Sequence, residues 1–395
     1  MPDDQRDRLR LIRTEGVGPV TYRRLLERYR TPAAALDALP RLARAAGRQA
    51  GPPIMTPEDA ERELDRTRAA GGCLVFLGDA DYPELLALTD DAPPCLIFHG
   101  DAALAQRRCV AAVGGRNASA NGQRMAETLA AELAQSVVVV SGLARGIDTA
   151  AHLGAMRTGR TIAVIAGGID QPYPPDNADL QRRIAGTNLL ITEACIGTVP
   201  QARHFPRRNR IIAGLSLGVV VVEAAPRSGS LITARFAQEA GREVFAVPGS
   251  PLDPRARGGN DLIRQGAILV ESAADVLDNL PAIPDHGSGN LFHRPSWPGS
   301  SGPPIAAGAG GGGPEIPRTK PGEGHDGGNE RPAPPEARTR VLALLSPEPT
   351  MVDDIVRRCQ LSPPVTVAVL LELELSGRVE TLPGNRVALL PGGTD

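Results

Sequence analysis

The sequence predicts an α/β protein with a doubly wound parallel sheet, a small all-α module before it and a winged-helix domain after a flexible linker. Three observations support this prediction. Short runs rich in Val and Ile alternate with helical patterns through the middle of the 395-residue chain. Hydrophobic residues make up 42% of the chain but aromatic residues only 3%, which is typical of buried parallel strands. A stretch rich in Pro and Gly separates this region from further helical patterns.

The amino-terminal region has a helical pattern. From residue 7 to about residue 47, apolar residues recur at spacings of three to four, which predicts amphipathic helices. The turn Gly16-Val17-Gly18-Pro19 interrupts this pattern. It fits a helix-hairpin-helix, in which glycines let backbone amides approach a phosphate, and it fits an ordinary helix–helix turn equally well. Residues 1–70 are predicted to form this helical module.

Seven apolar runs predict the strands of the sheet. Each is rich in β-branched residues and ends at Gly, Ser, Glu or Pro. Helical stretches such as 122–133 and 147–156 separate them, so the strands should be parallel and covered by helices on both faces. Within a domain of residues 71–280, the predicted strands are 109–113, 136–140, 161–165, 188–192, 217–222, 243–247 and 267–270.

A change of composition marks the end of this domain. Residues 281–335 are rich in Pro, Gly and Ser and bury too little apolar area to offset their ordering entropy, which predicts a flexible linker. Helical patterns follow at 337–345, 351–359 and 365–375, then two short β patterns around the turn Pro383-Gly384-Asn385. Three helices and a hairpin predict a winged-helix domain over residues 336–395.

Charge and cysteine content exclude several classes of protein. The formal net charge is −2, so any nucleic-acid interface must be a local patch. The five cysteines are scattered and form no C-x-x-C pair, which is typical of a reduced protein without structural zinc. The amino terminus has no signal-peptide core, and no apolar run reaches the length of a membrane span. These features predict a cytoplasmic protein with no metal and no membrane contact.

One segment concentrates positive charge, with four arginines within eight residues: Arg203-His204-Phe205-Pro206-Arg207-Arg208-Asn209-Arg210. It follows the predicted strand 188–192, and loops at the carboxyl ends of parallel strands line the ligand crevice. Arginine matches phosphate bidentately, and Phe205 could stack on a base, a contact worth roughly 1–3 kcal/mol in single-strand binders. An isolated run of this kind is usually solvated or salt-bridged. Other anion-binding loops in the same sheet favour an anion site here.

A second anion-binding loop follows the first predicted strand and has the sequence Gly114-Gly115-Arg116-Asn117-Ala118-Ser119. Its glycines allow close approach of a ligand, and Ser119 could donate to an anion or cap the following helix. Arg116 adds positive charge at the helix amino terminus. The loop is not G-x-G-x-x-G, and no acidic residue is spaced to hold a ribose, which argues against a dinucleotide site.

Three more loops belong to the same edge of the sheet. Asp148 and His152 lie on one face of a predicted helix. In one interpretation Asp148 caps the helix and His152 is a hydrogen-bonded helix side chain; in the other they form an acid–base dyad. No nucleophile or metal set accompanies them. The three loops are Ser141-Gly142-Leu143-Ala144-Arg145-Gly146-Ile147-Asp148, Gly167-Gly168-Ile169-Asp170-Gln171-Pro172-Tyr173-Pro174 and Arg227-Ser228-Gly229-Ser230-Leu231-Ile232-Thr233-Ala234.

The order and spacing of these motifs closely resemble the bacterial DNA-processing protein A (DprA) family. Val247-Pro248-Gly249-Ser250 and the Phe-Pro-x-Arg-Asn-Arg pattern from Phe205 belong to the same resemblance, which is strong over residues 75–280. The first helices resemble the SAM-like module of that family, and the last 60 or so residues resemble its winged-helix tail. At Gly115 the family usually has Ser or Thr, so this chain lacks one hydroxyl at the phosphate loop.

The resemblance implies a function as well as a fold. It implies an extended Rossmann fold and a non-enzymatic homodimer that binds single-stranded DNA in a positive pocket and helps to load the RecA recombinase, without a cofactor. On the positions that match, the expected DNA-binding residues are Gly114, Gly115, Arg116, Ser119, Ser141, Gly142, Arg145, Gly146, Asp148, Arg203, Phe205, Arg207, Arg208, Asn209, Arg210, Ser228, Gly229, Ser230 and Thr233.

Two alternatives remain at this point. Phosphoribohydrolases of the Lonely Guy type also pair a Gly-Gly-Arg loop with a glycine-rich loop, but their Pro-Gly-Gly-x-Gly-Thr-x-x-Glu motif carries a general-base glutamate that residues 227–234 lack. In the second alternative, the terminal modules bind DNA and the sheet is only a scaffold.

Overall fold

The computed structural model describes residues 2–45, 53–281, 335–382 and 385–390. Four helices come first: α1 (Pro2–Arg13), α2 (Pro19–Tyr29), α3 (Pro32–Ala45) and α4 (Pro57–Ala69). Gly16 adopts φ +82° in the turn before α2, a backbone conformation that favours glycine. Leu9 of α1 packs with Leu64 of α4 against Phe76, so these helices are anchored on the edge of the sheet.

Nine strands form one sheet in the order β1-β2-β6-β5-β4-β3-β7-β8-β9. The seven strands from β6 to β9 in this order are parallel, which confirms the predicted parallel α/β sheet. The strands are β1 (Cys73–Phe76), β2 (Cys95–Gly100), β3 (Cys109–Val113), β4 (Val138–Ser141), β5 (Thr161–Val164), β6 (Leu189–Thr192), β7 (Gly218–Val221), β8 (Glu243–Ala246) and β9 (Ile268–Leu269).

Strands β1 and β2 extend the sheet at one edge and were not among the seven predicted strands. They pair antiparallel with each other, and β2 pairs antiparallel with β6. Strand β2 is buried over its first four residues and β1 over its last two, but no helical pattern of crossover length lies between them. The alternation of strand and helix therefore could not reveal them.

Helices cover both faces of the sheet. On one face, α6 (Ala120–Leu133) and α7 (Ile147–Thr158) pack together against alternate residues of β3, such as Val110 and Ala112. On the other face, α9 (His204–Leu215) contacts β3, β4 and β5, and α10 (Gly229–Glu239) contacts β7 and β8. The remaining helices of this region are α5 (Glu84–Ala87), α8 (Ala178–Thr187), α11 (Arg257–Arg264) and α12 (Ala273–Leu277), with two short 3-10 helices, Ala102–Gln106 and Pro175–Asn177.

The carboxyl-terminal unit has its own core and sheet. Its three strands pair antiparallel in the order β10-β12-β11, and Val341, Leu370 and Val387 are among the residues of its core. Three helices and this sheet form the winged-helix fold that the sequence predicts. The elements are α13 (Pro335–Leu344), β10 (Thr350–Met351), α14 (Val352–Cys359), α15 (Pro363–Leu375), β11 (Val379–Leu382) and β12 (Arg386–Leu389).

The predicted linker falls outside the described residues, except for Pro281 and Pro335 at its two ends. The chain separates into two compact units, one with the nine-stranded sheet and the other with the carboxyl-terminal helices and strands. Throughout the four described ranges, each helix is too short or too polar to cross a membrane.

Candidate nucleic-acid interface

An open pocket lies at the carboxyl ends of β3, β4 and β5 and encloses about 520 Å³ of space that is open to solvent. Its position agrees with the general rule that ligands of open α/β sheets bind beyond the strand ends. Three arginines and two aromatic residues give it both positive charge and flat apolar surface. The lining residues are Arg116, Gly142, Ala144, Arg145, Ile165, Ala166, Gly167, Gln171, Tyr173, Pro174, Pro200, Phe205 and Arg208.

Arg116 is an exposed arginine of the pocket, as is Arg145. It follows β3 after two glycines, and a Cβ at Gly114 would lie 2.5 Å from Cγ1 of Ile147, so this loop can approach α7 only with glycine there. The guanidinium carbon of Arg116 lies 4.9 Å from the ring centroid of Phe205, a cation–π distance. Arg116 is therefore positioned by an aromatic ring and keeps its donors for a ligand.

Arg208 is buried, with 7% of its side chain exposed, and forms part of the pocket floor. Its Nη1 lies 4.0 Å from Oδ2 of Asp148, and no hydrogen-bond partner is present for its Nε. Burial, together with the charge of Arg116, lowers the pKa of Arg208 to about 10, so the guanidinium stays charged at neutral pH. A buried cation with unused donors at the base of a pocket favours the binding of an anion.

Gly142 makes room for that arginine. A Cβ at this position would lie 1.3 Å from Nη1 of Arg208, so any side chain here would displace the guanidinium. Asp148 fixes the same loop, since its Oδ2 accepts hydrogen bonds from the amides of Gly142 (3.2 Å) and Ala144 (3.3 Å). Burial raises the pKa of Asp148, and the charge of Arg208 and the hydrogen bonds from these amides partly offset that increase. The motif after β4 thus positions Arg208.

Aromatic and charged residues form the rim of the pocket. Tyr173 is 44% exposed, and its ring centroid lies 5.7 Å from that of Phe205. Arg145 is exposed and pairs with Asp176 at 2.7 Å. Tyr173 belongs to the predicted loop Gly167-Gly168-Ile169-Asp170-Gln171-Pro172-Tyr173-Pro174 but was not among the predicted binding residues. Its position after the third predicted strand was the signal that could have identified it.

Several predicted site residues lie outside the pocket lining. Ser141 is fully buried and donates its hydroxyl to the carbonyl of Ala112, so it links β4 to β3. Arg210 donates to both carboxylate oxygens of Glu193 at 2.7 Å and to the carbonyl of Asp91 at 2.8 Å. These hydrogen bonds give both side chains partners within the protein, so Ser141 and Arg210 connect parts of the fold.

The predicted residues around α10 form a separate group. Ser228 is the N-cap of α10, and its Oγ lies 2.7 Å from Oγ of Ser230. Asn209 of α9 donates to the carbonyl of Gly229, and Thr233 is 2% exposed. This group therefore joins α9 to α10, outside the residues that line the pocket.

The other predicted residues lie near the pocket or on the surface. Gly146, with φ +77°, lets the loop after β4 approach the loop of Gly115, whose carbonyl would lie 2.4 Å from an added Cβ. Arg203 and Arg207 are exposed at the start of α9. Ser119 is the N-cap of α6 and bonds to the carboxylate of Glu223.

The two side chains of the suggested acid–base dyad have different partners. His152 is fully buried and its Nδ1 hydrogen-bonds to Oγ1 of Thr161 at 2.8 Å, with no partner at Nε2. Burial, reinforced by Arg208, lowers the pKa of His152 to about 3, so the ring is neutral.

Among the described residues that line the pocket, none is Asp, Glu, His, Cys or Ser. The described ranges also hold no cluster of three or more His, Cys, Asp or Glu placed to bind a metal.

Comparison with known families agrees with this geometry. The family model described as DNA recombination-mediator protein A matches residues 73–281, which include every pocket residue. The chain belongs to this family. Models of the DprA-like N-terminal HHH domain and the DprA winged helix domain match residues 2–65 and 329–385 of this DprA family member.

Individual DprA relatives extend the similarity. The DNA processing protein DprA of Streptococcus pneumoniae is 48% identical over 200 residues, which cover 50% of this chain and 71% of that protein. Protein Smf of Synechocystis sp. is 38% identical over 323 residues and covers 78% of both chains. The solved structure of the S. pneumoniae DprA aligns with a TM-score of 0.56 and 40% identity, over 64% of this chain and 84% of that one.

Proposed function

We propose that this protein binds single-stranded DNA in the pocket at the ends of β3, β4 and β5. The observation that supports the proposal is the convergence of Arg116, Arg145 and Arg208 with the rings of Tyr173 and Phe205 in one open cavity. Guanidinium groups bind the backbone phosphates and the rings stack on bases, a combination used by proteins that bind single strands of any sequence. Each stacked base contributes roughly 1–3 kcal/mol.

The proposal includes a role in recombination. Membership of the DprA family supports a homodimer that brings RecA onto the bound strand in the cytoplasm. The test compares the rate at which RecA assembles on a single strand in the presence and absence of the protein. Faster assembly with the wild type than with Arg116→Ala supports this role, and equal rates with both contradict it.

The proposed activity is binding without catalysis. A general base must lie within hydrogen-bond reach of the proton it removes, and the lining described above offers only arginine, Gln171 and Tyr173 as polar side chains. Incubation with nucleoside monophosphates tests the phosphoribohydrolase alternative. If the wild type releases free base and Arg116→Ala does not, the pocket is the active site of an enzyme and the proposal is wrong.

The decisive experiment is a fluorescence-anisotropy titration of the intact protein with a strand of roughly 30 nucleotides and with the matching duplex. Each titration is run at two salt concentrations, because contacts to phosphate release counterions and weaken as salt rises. We expect a preference for the single strand, since stacking on Tyr173 and Phe205 requires exposed bases. Equal binding of the two forms, or none, would contradict the proposal.

A further inference from the structure

The amino terminus of α6 already holds an anion that belongs to the protein. The carboxylate of Glu223 accepts hydrogen bonds from the backbone amide of Ser119 at 2.7 Å and from its hydroxyl at 2.8 Å. A Cβ at Gly122 would lie 2.8 Å from Oε2 of Glu223, so the carboxylate is packed against the first turn of the helix. Ser119 and Glu223 are 104 residues apart in the chain.

This position is the place where open α/β sheets bind phosphate. Strands β3 and β7 are neighbours in the sheet, and the chain winds away from them in opposite directions, toward β4 and toward β8. Ligands of such sheets lie in the crevice at this reversal, with phosphate at the amino terminus of the helix after the first strand. Here the carbonyl of Glu223 also accepts a hydrogen bond from the amide of Gly115 at 2.6 Å, which ties the two loops together.

We propose that Glu223 determines ligand specificity by excluding phosphate from this crevice. Its carboxylate uses the donors that a phosphate would need, and its negative charge repels a second anion placed beside it. The excluded class is small phosphorylated molecules whose binding depends on a terminal phosphate or pyrophosphate, such as nucleoside diphosphates and inorganic pyrophosphate. The pocket of Arg116, Arg145 and Arg208, on the other side of β3, remains available to bind phosphate groups.

The charges around Glu223 support this role. Arg255 is exposed, and Asp253 and, more weakly, Glu223 raise its pKa, which places Glu223 within electrostatic range of that guanidinium. Loss of the Glu223 charge would leave the amide and the hydroxyl of Ser119, at the amino terminus of α6, without their anion. The crevice would then have the donors and the positive field of a phosphate site.

The test is a gain of binding in the full-length protein. Isothermal titration calorimetry with inorganic pyrophosphate compares the wild type with Glu223→Ala and Glu223→Gln, the second of which keeps the size of the side chain and removes its charge. We expect the variants to bind pyrophosphate about 10-fold more tightly than the wild type, equivalent to about 1.4 kcal/mol. The matched control is Glu239→Gln, which removes one exposed negative charge at the end of α10 and should show no gain.

Two further measurements locate the effect. Adding Ser119→Ala to Glu223→Gln removes one donor of the crevice and should reduce the gain, whereas an undiminished gain would place the anion elsewhere and overturn the proposal. Anisotropy with single-stranded DNA tests the function proposed above independently, and we expect Glu223→Gln to change that affinity by less than about 3-fold. A folded Glu223→Gln that binds pyrophosphate no better than the wild type also overturns the proposal, whatever its DNA affinity.

Discussion

At the scale of residues, the arginines of one segment have three different environments. Arg208 is buried at the floor of the pocket, whereas Arg203 and Arg207 are exposed at the surface. Arg210 is held by Glu193 and by the carbonyl of Asp91. A cluster that is uniformly basic in the sequence therefore separates into one pocket residue, two surface residues and one residue that fixes α9 to the sheet.

Arg116→Ala should weaken binding to every single strand, because the phosphate contact proposed for Arg116 carries no base information. We expect the slope of log affinity against log salt concentration to fall by about 0.7, the value for one phosphate contact on a single strand. Anisotropy at four salt concentrations measures both quantities. Arg182→Ala on α8, which is 72% exposed and outside the pocket, is the control and should change neither.

Arg210→Ala should mainly lower stability. It leaves Glu193 without its partner in a partly buried site, which costs about 1–3 kcal/mol of the free energy of unfolding. Urea denaturation at neutral pH measures this loss, and the exposed neighbour Arg207→Ala should change stability by less than about 0.5 kcal/mol. Unchanged stability in Arg210→Ala, with a lower salt slope for DNA binding, would instead assign Arg210 to the DNA contacts.

Stability should fall as pH falls below about 6.5, partly because of His152. The pKa of His152 is about 3 in the folded protein and about 6.5 in the unfolded chain. Between these two pH values only the unfolded chain binds the proton, so the free energy of unfolding falls as pH falls. The contribution is at most about 1.4 kcal/mol per pH unit. Urea denaturation measures the free energy of unfolding at pH 7 and at pH 5. The loss between these two pH values should be smaller for His152→Asn than for the wild type. Equal differences would mean that His152 does not titrate in this way.

At the scale of elements, α9 differs most from the sequence prediction. The segment predicted as a loop begins a helix at His204 that continues to Leu215. The helical geometry separates neighbours, so Arg208 points to the pocket while Asn209 reaches the carbonyl of Gly229 on α10. One turn of helix thus supplies both a residue of the pocket and a packing contact.

Gly142→Ala tests how closely the loop after β4 and α9 fit together. The new Cβ would lie 1.3 Å from Nη1 of Arg208, so Arg208 must leave the pocket floor. We expect single-strand affinity to fall at least about 10-fold, or about 1.4 kcal/mol. Gly186→Ala on α8 is the matched control, since no atom lies within 4 Å of its added Cβ and alanine favours a helix. Wild-type affinity in Gly142→Ala would show that Arg208 is dispensable.

At the scale of the whole molecule, charge is local. The net charge is −2, yet three arginines meet in one pocket of the nine-stranded sheet. The third and longest described helix of the winged-helix unit, α15, contains Glu372 and Glu374 and no Arg or Lys. A helix that reads a major groove needs donors for phosphates and base edges, so α15 is poorly suited to that role. These charges favour the sheet as the DNA-binding part.

Removal of residues 282–395 should therefore leave most of the single-strand affinity. We expect a change of less than roughly 3-fold, because phosphate contacts dominate such affinities and the arginines proposed to make them stay in the sheet unit. Anisotropy titrations of the truncated and intact proteins at the same salt concentration measure the two affinities. A melting curve confirms that the truncated protein is folded. Loss of most of the affinity in a folded truncated protein would transfer the binding function to the carboxyl-terminal unit.

The sequence by itself determined the parallel strands, the helices between them and the loops that follow β3, β4 and β5. These features depend on local periodicity and on Gly and Pro, which act over a few residues. It also determined the family, because several short motifs occur in a fixed order. The positions of Arg116, Phe205 and Arg208 at the strand ends could be deduced from this information.

The tertiary structure decided which side chains are free to bind a ligand. Ser119 bonds to Glu223, Arg210 to Glu193 and His152 to Thr161, and antiparallel pairing adds β1 and β2 to one edge of the sheet. The partner of a charged or polar group is set by the residues that the fold brings within hydrogen-bond distance. Residues 104 positions apart can meet in this way, so no local pattern encodes the choice.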